Sequence, residues 1–152
     1  MIETVFSGLG GVEIALTTVR VATGTFFAIS GAHKLFHKAR HETLRDTLVA
    51  DGVPFIRFNE WFVPAVEFLG GLAVVIGLLT PLAAFGLLAI CCVACAVDGI
   101  KKICAWNPLN RADWLDDLLY LPETIYALFL SVLVAGGAGR YSVDALILSI
   151  LF

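Results

Sequence analysis

Charged residues are scarce in this chain. They make up 15% of its 152 residues, against roughly 25% in an average soluble domain. Hydrophobic residues make up 59%. A water-soluble protein this small could not bury so much apolar surface, and its exterior would be adhesive. A bilayer removes that difficulty by replacing water as the solvent. Basic charge is also in short supply. The net charge is -3 and there is no basic patch with interleaved aromatics, which speaks against a nucleic-acid partner. Met1 to Gly11 hold no Lys or Arg. The basic region of a secretory signal is therefore missing, and the first apolar stretch is expected to stay as a spanning helix. One integral membrane domain over residues 1–152 is the expected organisation.

What is present is a set of long apolar runs. A spanning helix needs about 20 mostly apolar residues, and four stretches approach this: about 12–36, 61–79, 82–100 and 114–135. Thr80-Pro81 breaks the second from the third, with Pro81 suited to the first turn of a new helix. The fourth contains Pro122 and Glu123. A helix starting only at Pro122 would reach about 21 Å, too short for the hydrocarbon core. The fourth helix is therefore expected to begin near Asp113 or Trp114 and to pass through Pro122 with a kink. The carbonyl of Leu118 would then lose its helical donor and need another partner. Between the first two spans, Glu42, Thr43, Asp46 and Thr47 alternate with Leu44 and Leu48. That pattern suits a short amphipathic surface helix, ended by Gly52 to Pro54. The apolar tail from Ala145 is too short to span. The fold class is all-α: an integral membrane four-helix bundle with a short amphipathic segment between helices 1 and 2.

Basic residues set the orientation. Lys34, Lys38, Arg40, Arg45 and Arg57 lie at the first connection, and Lys101, Lys102 and Arg111 at the third, eight of the ten basic residues. Both polar loops are expected in the cytoplasm and both termini outside, in a multi-pass protein.

A few charges fall inside the spans, where an ionised group is costly unless it is paired or lines a cavity. Glu67 lies six residues into the second span, a depth matching Ser30 to Lys34 of the first. Glu123 lies at a similar depth in the fourth. His33, Lys34, Glu67 and Glu123 could share one layer, about 9 Å below the surface at 1.5 Å per residue. Two readings stand. The layer is an ion pair that locks helices together, or a polar pocket that binds a quinone-like head group or passes protons. Arg20 sits in the other half of the first span, with Asp144 as its expected partner in a structural ion pair; an anion site is the alternative.

Gly24, Ala28 and Gly31, and Gly70 and Gly77, read as small-residue faces that let backbones approach in lipid. Cys92 and Cys95 form C-x-x-C, but an Ala/Cys/Val-rich run uses Cys as a small apolar residue, so packing is preferred to redox. No metal site is expected. His37 and His41 stand at i, i+4 without a third ligand and are read as solvated. No haem-ligand pair, flavin fingerprint or P-loop is present. No covalently bound cofactor is expected, and an electron carrier would be a diffusible quinone or a bound partner.

These residues carry a family resemblance. The chain resembles the DoxX/DoxD family of small four-helix bacterial membrane proteins through "RVATGTFFAISGAHKLF" at 20–36, "DGVP" at 51–54, "PAVEFLGGLAVVIGLLTPLAA" at 64–84 and "GAGRYSVDALIL" at 137–148. Arg20, Gly24, Gly31 and Lys34 fit the family's helix 1. Glu67, Gly70, Gly71, Gly77 and Thr80 fit helix 2, and Gly139, Arg140, Tyr141, Ser142 and Asp144 fit the terminal motif. "CAWNPLNRADWLDDLLYLPE" at 104–123 fits no named pattern. The resemblance implies a membrane domain often linked to redox work, with some relatives serving as thiosulfate:quinone oxidoreductase subunits and others in oxidative-stress or thiol-homeostasis complexes. The expected function is a quinone-engaging membrane redox component in a homo-oligomer, possible soluble redox enzymes being its partners. A non-catalytic scaffold for such enzymes and a small transporter are the alternatives.

Overall fold

A computed structural model describes residues 11–106 and 108–151. Among these, all regular structure is helical: α1 Val12–Phe36, α2 Lys38–Ala50, α3 Ile56–Ile76, α4 Thr80–Ala94, α5 Ile100–Trp106, α6 Arg111–Tyr120, α7 Pro122–Gly136 and α8 Val143–Leu151. A π-helical turn, Cys95–Gly99, joins α4 to α5 without a break. The result is one rod over Thr80–Trp106, about 40 Å long at 1.5 Å per residue. It outruns the hydrocarbon core, so Lys101 and Lys102 stand at its end.

Helix α1 buries Arg20, Thr23, Gly24, Phe27, Ala28 and Gly31, the i, i+3, i+4, i+7 stripe of an amphipathic helix. That stripe meets α3 with almost no side chain between the two backbones. A methyl on Gly71 would strike the backbone nitrogen of Ala28 and stand 2.8 Å from the carbonyl oxygen of Gly24. One on Gly31 would strike the nitrogen of Phe68 and stand 2.7 Å from the carbonyl oxygen of Pro64. In lipid, close backbone approach replaces the hydrophobic effect as the source of helix association. Gly70 instead faces the Leu87 side chain of α4.

Gly77 ends α3 in the left-handed region at φ 74°, a conformation that costs glycine little. Its N–H and that of Leu78 return to the Ala73 carbonyl, closing the last turn. Thr80 and Pro81 then open α4. The core comprises Phe27, Val74, Ala84, Leu87, Cys91, Leu130 and Leu133. Thus α1 packs on α3, α3 on α4, α4 on α7, and α7 closes back on α1.

The fourth span differs from expectation. It is two helices, α6 and α7, meeting at 71°, rather than one helix kinked at Pro122. Leu121 is extended (φ -69°, ψ 129°) and Pro122 takes the first turn of α7, where its missing N–H costs nothing. The Leu118 carbonyl accepts from the Leu121 N–H at 3.3 Å, so it is not left free. Among the described residues, three helices are long and apolar enough to cross a membrane, and the bent pair would make a fourth. Helix α3 starts at Ile56, five residues before Trp61, because Phe55 turns the chain at φ 53°. Residues around the perimeter such as Phe26, Leu69, Leu72, Phe85 and Val132 are exposed, as lipid-facing side chains are. The molecule is an all-α membrane bundle.

Candidate functional site

Two polar centres lie within the bundle, near its two ends. At the end carrying the basic loops, Ser30 and Lys34 stand one turn apart on α1, and the contact at Gly31 draws α3 against them. This places Glu67 beside Lys34. The Lys34 Nζ donates to Glu67 Oε1 at 2.7 Å and Oε2 at 2.6 Å, and Ser30 Oγ donates to Oε2 at 3.4 Å. Glu67 keeps 6% of its side chain exposed and Lys34 28%. A buried carboxylate is tolerable there because a short charge-assisted pair holds it. The pair is open on the lysine side. His41 Nδ1 donates to the Lys34 carbonyl at 3.1 Å, and its ring lies 4.6 Å from that of Trp61. Helix α2 is thereby folded over the mouth, secured by Arg45 near Glu60 at 3.7 Å and by Lys101 on Asp51 at 2.8 Å.

Glu123 lies in the first turn of α7, the helix packed on α4 and α1. Its Oε1 lies 3.9 Å from Lys102 Nζ, and Lys102 is itself bonded to Asp98 at 2.6 Å. Its Oε2 is buried with no hydrogen-bond partner among the described residues. The buried thiol of Cys91 lies within electrostatic reach of both Glu67 and Glu123. The structure thus joins Lys34 to Glu67 and gives Glu123 a separate cation. His33 is exposed, and its ring packs edge-on against His37 at 5.2 Å; no bond joins it to the carboxylates among the described residues. Lys102 and Asp98 are partners the sequence reading missed, because it ended the third helix near residue 100. Their i, i+4 spacing was the available signal.

The second centre lies at the opposite end. Arg20 is 3% exposed and its Nη2 donates to the Tyr141 carbonyl at 2.6 Å. Its Nη1 lies directly against Gly77, where a side chain would collide with it. Asp144 does not bond Arg20. Its carboxylate accepts the Leu79 N–H at 2.7 Å and the Thr80 N–H at 2.9 Å, capping α4. The pair shares a corner and a field but not a salt bridge: two helix-terminal N–H groups, with the dipole behind them, compete successfully for the carboxylate. This corner also fixes Leu79 at φ 48°, a costly conformation for a residue with a side chain.

What this arrangement can do chemically is asymmetric. The Arg20 corner ties α1, the α3–α4 turn and the start of α8 together. The Lys34–Glu67 centre presents an ammonium with exposed surface, braced by a buried carboxylate. It can donate to an oxygen of a ligand and stabilise negative charge arising there. Comparison with known proteins returned no match among curated proteins and none among solved structures. The DoxX family model matches residues 15–100, more than half of the chain and including Arg20, Lys34 and Glu67. This chain belongs to the DoxX family.

Proposed function

We propose that the protein is a membrane redox component that binds a quinone head group in the polar layer of Lys34, Glu67 and Glu123. The observation that carries this reading is the Lys34–Glu67 pair, sunk beside a glycine contact yet open on the lysine side. The link of the resembling family to redox work supports it. In this reading the Lys34 ammonium donates to a quinone carbonyl oxygen, and Glu67 fixes the direction of that donor. Reduction of the quinone to quinol takes two electrons and two protons. The electrons come from a reduced soluble enzyme docked at the basic-loop end, which we place in the cytoplasm of a bacterial inner membrane, with both termini outside and the chain in a homo-oligomer. Titration of purified protein in nanodiscs with a short-chain ubiquinone analogue tests this. Saturable binding is expected, weakened about tenfold or more in Glu67→Gln by loss of a charge-assisted bond. Absence of binding, or a variant that binds as tightly as the parent, overturns it.

A second reading has its own observation. On the basic-loop end, Trp106, Pro108, Leu109, Asp113, Asp116 and Asp117 line a cleft of about 250 Å³, and Leu109 is 92% exposed. Such a surface could anchor a soluble partner without chemistry in the membrane. A pull-down that loses its partner on Leu109→Asp favours the scaffold; a pull-down with no stable partner removes it.

A further inference from the structure

A groove of about 490 Å³ lies at the end of the bundle opposite the basic loops. Ile14, Thr17, Thr18, Val21 and Ala22 of α1 line it together with Tyr141. From Ile14 to Ala22 it follows α1 for about 12 Å, at 1.5 Å per residue. The threonines add little polarity. Thr17 Oγ1 donates to the Glu13 carbonyl at 2.7 Å and Thr18 Oγ1 to the Ile14 carbonyl at 2.8 Å. Both hydroxyls are thereby spent on their own helix, and the groove offers apolar surface. Its rim carries charge of both signs. Glu13 precedes Ile14 in the first turn of α1, and Arg140 precedes Tyr141. The two meet where the Arg140 N–H donates to Glu13 Oε2 at 2.6 Å. Both side chains are exposed, and among the described residues that backbone N–H is all that holds the Glu13 carboxylate. Arg140 is the one basic residue on the surface at this end, since Arg20 is buried. Tyr141, an exposed phenol between water and lipid, suits the interfacial level of a bilayer.

We propose that this groove binds one molecule of an aminophospholipid, a lipid whose head group carries a phosphate and a primary ammonium. An acyl chain lies along α1 from Ile14 to Ala22. The phosphate sits against Arg140, whose guanidinium can grip two of its oxygens. The ammonium donates to Glu13, as a quaternary choline, with no N–H, cannot. Charge decides between head groups. The rim holds one acid and one base, matching a zwitterion that can donate. An anionic phospholipid without an amine would bring its phosphate beside the Glu13 carboxylate with nothing to offset the repulsion. The groove is flanked by the two bonds that tie α1 to the segment entering α8, Arg140 to Glu13 and Arg20 to the Tyr141 carbonyl at 2.6 Å. A lipid seated there binds the folded chain alone and so stabilises it. The site is independent of the quinone reading of the Lys34–Glu67 pair, and neither stands or falls with the other.

Native mass spectrometry of the delipidated full chain tests this by titration with dioleoyl phosphatidylethanolamine, phosphatidylcholine and phosphatidylglycerol. One phosphatidylethanolamine per chain is expected to bind about tenfold or more tighter than either of the others, the size of a charge-assisted hydrogen bond. Glu13→Gln keeps an acceptor for the Arg140 N–H and should erase the preference over phosphatidylcholine. Arg140→Gln should weaken all three lipids about tenfold, since each carries the phosphate. Ala22→Trp fills the groove from an exposed position and should also weaken all three. Equal retention of the three lipids, or a preference that survives Glu13→Gln, overturns the ammonium assignment. Retention unchanged by Arg140→Gln overturns the phosphate contact, and retention unchanged by Ala22→Trp overturns the groove as the site.

Discussion

Removing either partner of the Lys34–Glu67 pair should cost stability unequally, and the inequality follows from where each side chain stands. Lys34→Met deprives Glu67 of two bonds at 2.7 and 2.6 Å and leaves only Ser30 at 3.4 Å. Breaking one side of a buried pair costs about 3–5 kcal/mol. Because Lys34 is 28% exposed, the pair is partly hydrated, and the low end, about 3 kcal/mol, applies. Glu67→Gln is cheaper. The amide still accepts one bond, and the four-carbon stem lets the ammonium reach water, for a cost of about 1–2 kcal/mol. Combining Lys34→Met with Glu67→Gln leaves no stranded charge and should come within about 1 kcal/mol of the parent, a coupling of more than about 2 kcal/mol. Equilibrium unfolding in mixed micelles of rising SDS fraction, followed by tryptophan fluorescence, measures all four corners of the cycle. Costs that add without coupling, or a costlier Glu67→Gln, would refute the reasoning.

Gly71→Ala must push α1 from α3, since what its methyl meets is backbone, and should lose about 1–3 kcal/mol in the same assay. Gly86→Ala has only Val66 Cγ1 at 3.8 Å and should be neutral or gain up to about 1 kcal/mol from helix propensity. Asp144→Ala removes the acceptor of two N–H groups at the start of α4 and should cost about 1–2 kcal/mol, with faster amide exchange at Leu79 and Thr80 as its local mark. Pro122→Ala should destabilise slightly, by about 0.5–1 kcal/mol, because proline at the first turn of α7 restrains the unfolded chain. Were Pro122 inside a continuous helix, the same change would stabilise instead.

Composition alone leads to a membrane helix bundle, because lipid is the only solvent that accepts this surface. The approach of Lys34 to Glu67 followed from counting residues inward from a shared end, which works where helices are regular and antiparallel. The same counting did not foresee Lys102 beside Glu123, because the helix of Glu123 starts at a break, and proline fits a first turn as well as a kink. Lys101 and Lys102 seemed to close the third helix, yet long stems let a helix carry lysines out of the core. Asp144 was matched to Arg20 by charge. The backbone donors of α4 were invisible in composition, since every helix start offers them. Among the small-residue faces, Gly24 and Gly31 meet α3 as expected, but Gly71 rather than Gly70 makes the contact. A one-residue shift is a 100° turn of the helix, finer than a spacing pattern resolves.

Photo-crosslinking with an azido-quinone in nanodiscs, mapped by peptide mass spectrometry, tests the proposed chamber most directly. Adducts should fall on α1 near Ser30 to Lys34, on α3 near Glu67 and at the start of α7 near Glu123, and excess unlabelled quinone should suppress them. Adducts confined to the Arg20 end of the bundle, or labelling that unlabelled quinone fails to displace, would show that Lys34 and Glu67 brace the helices and bind nothing.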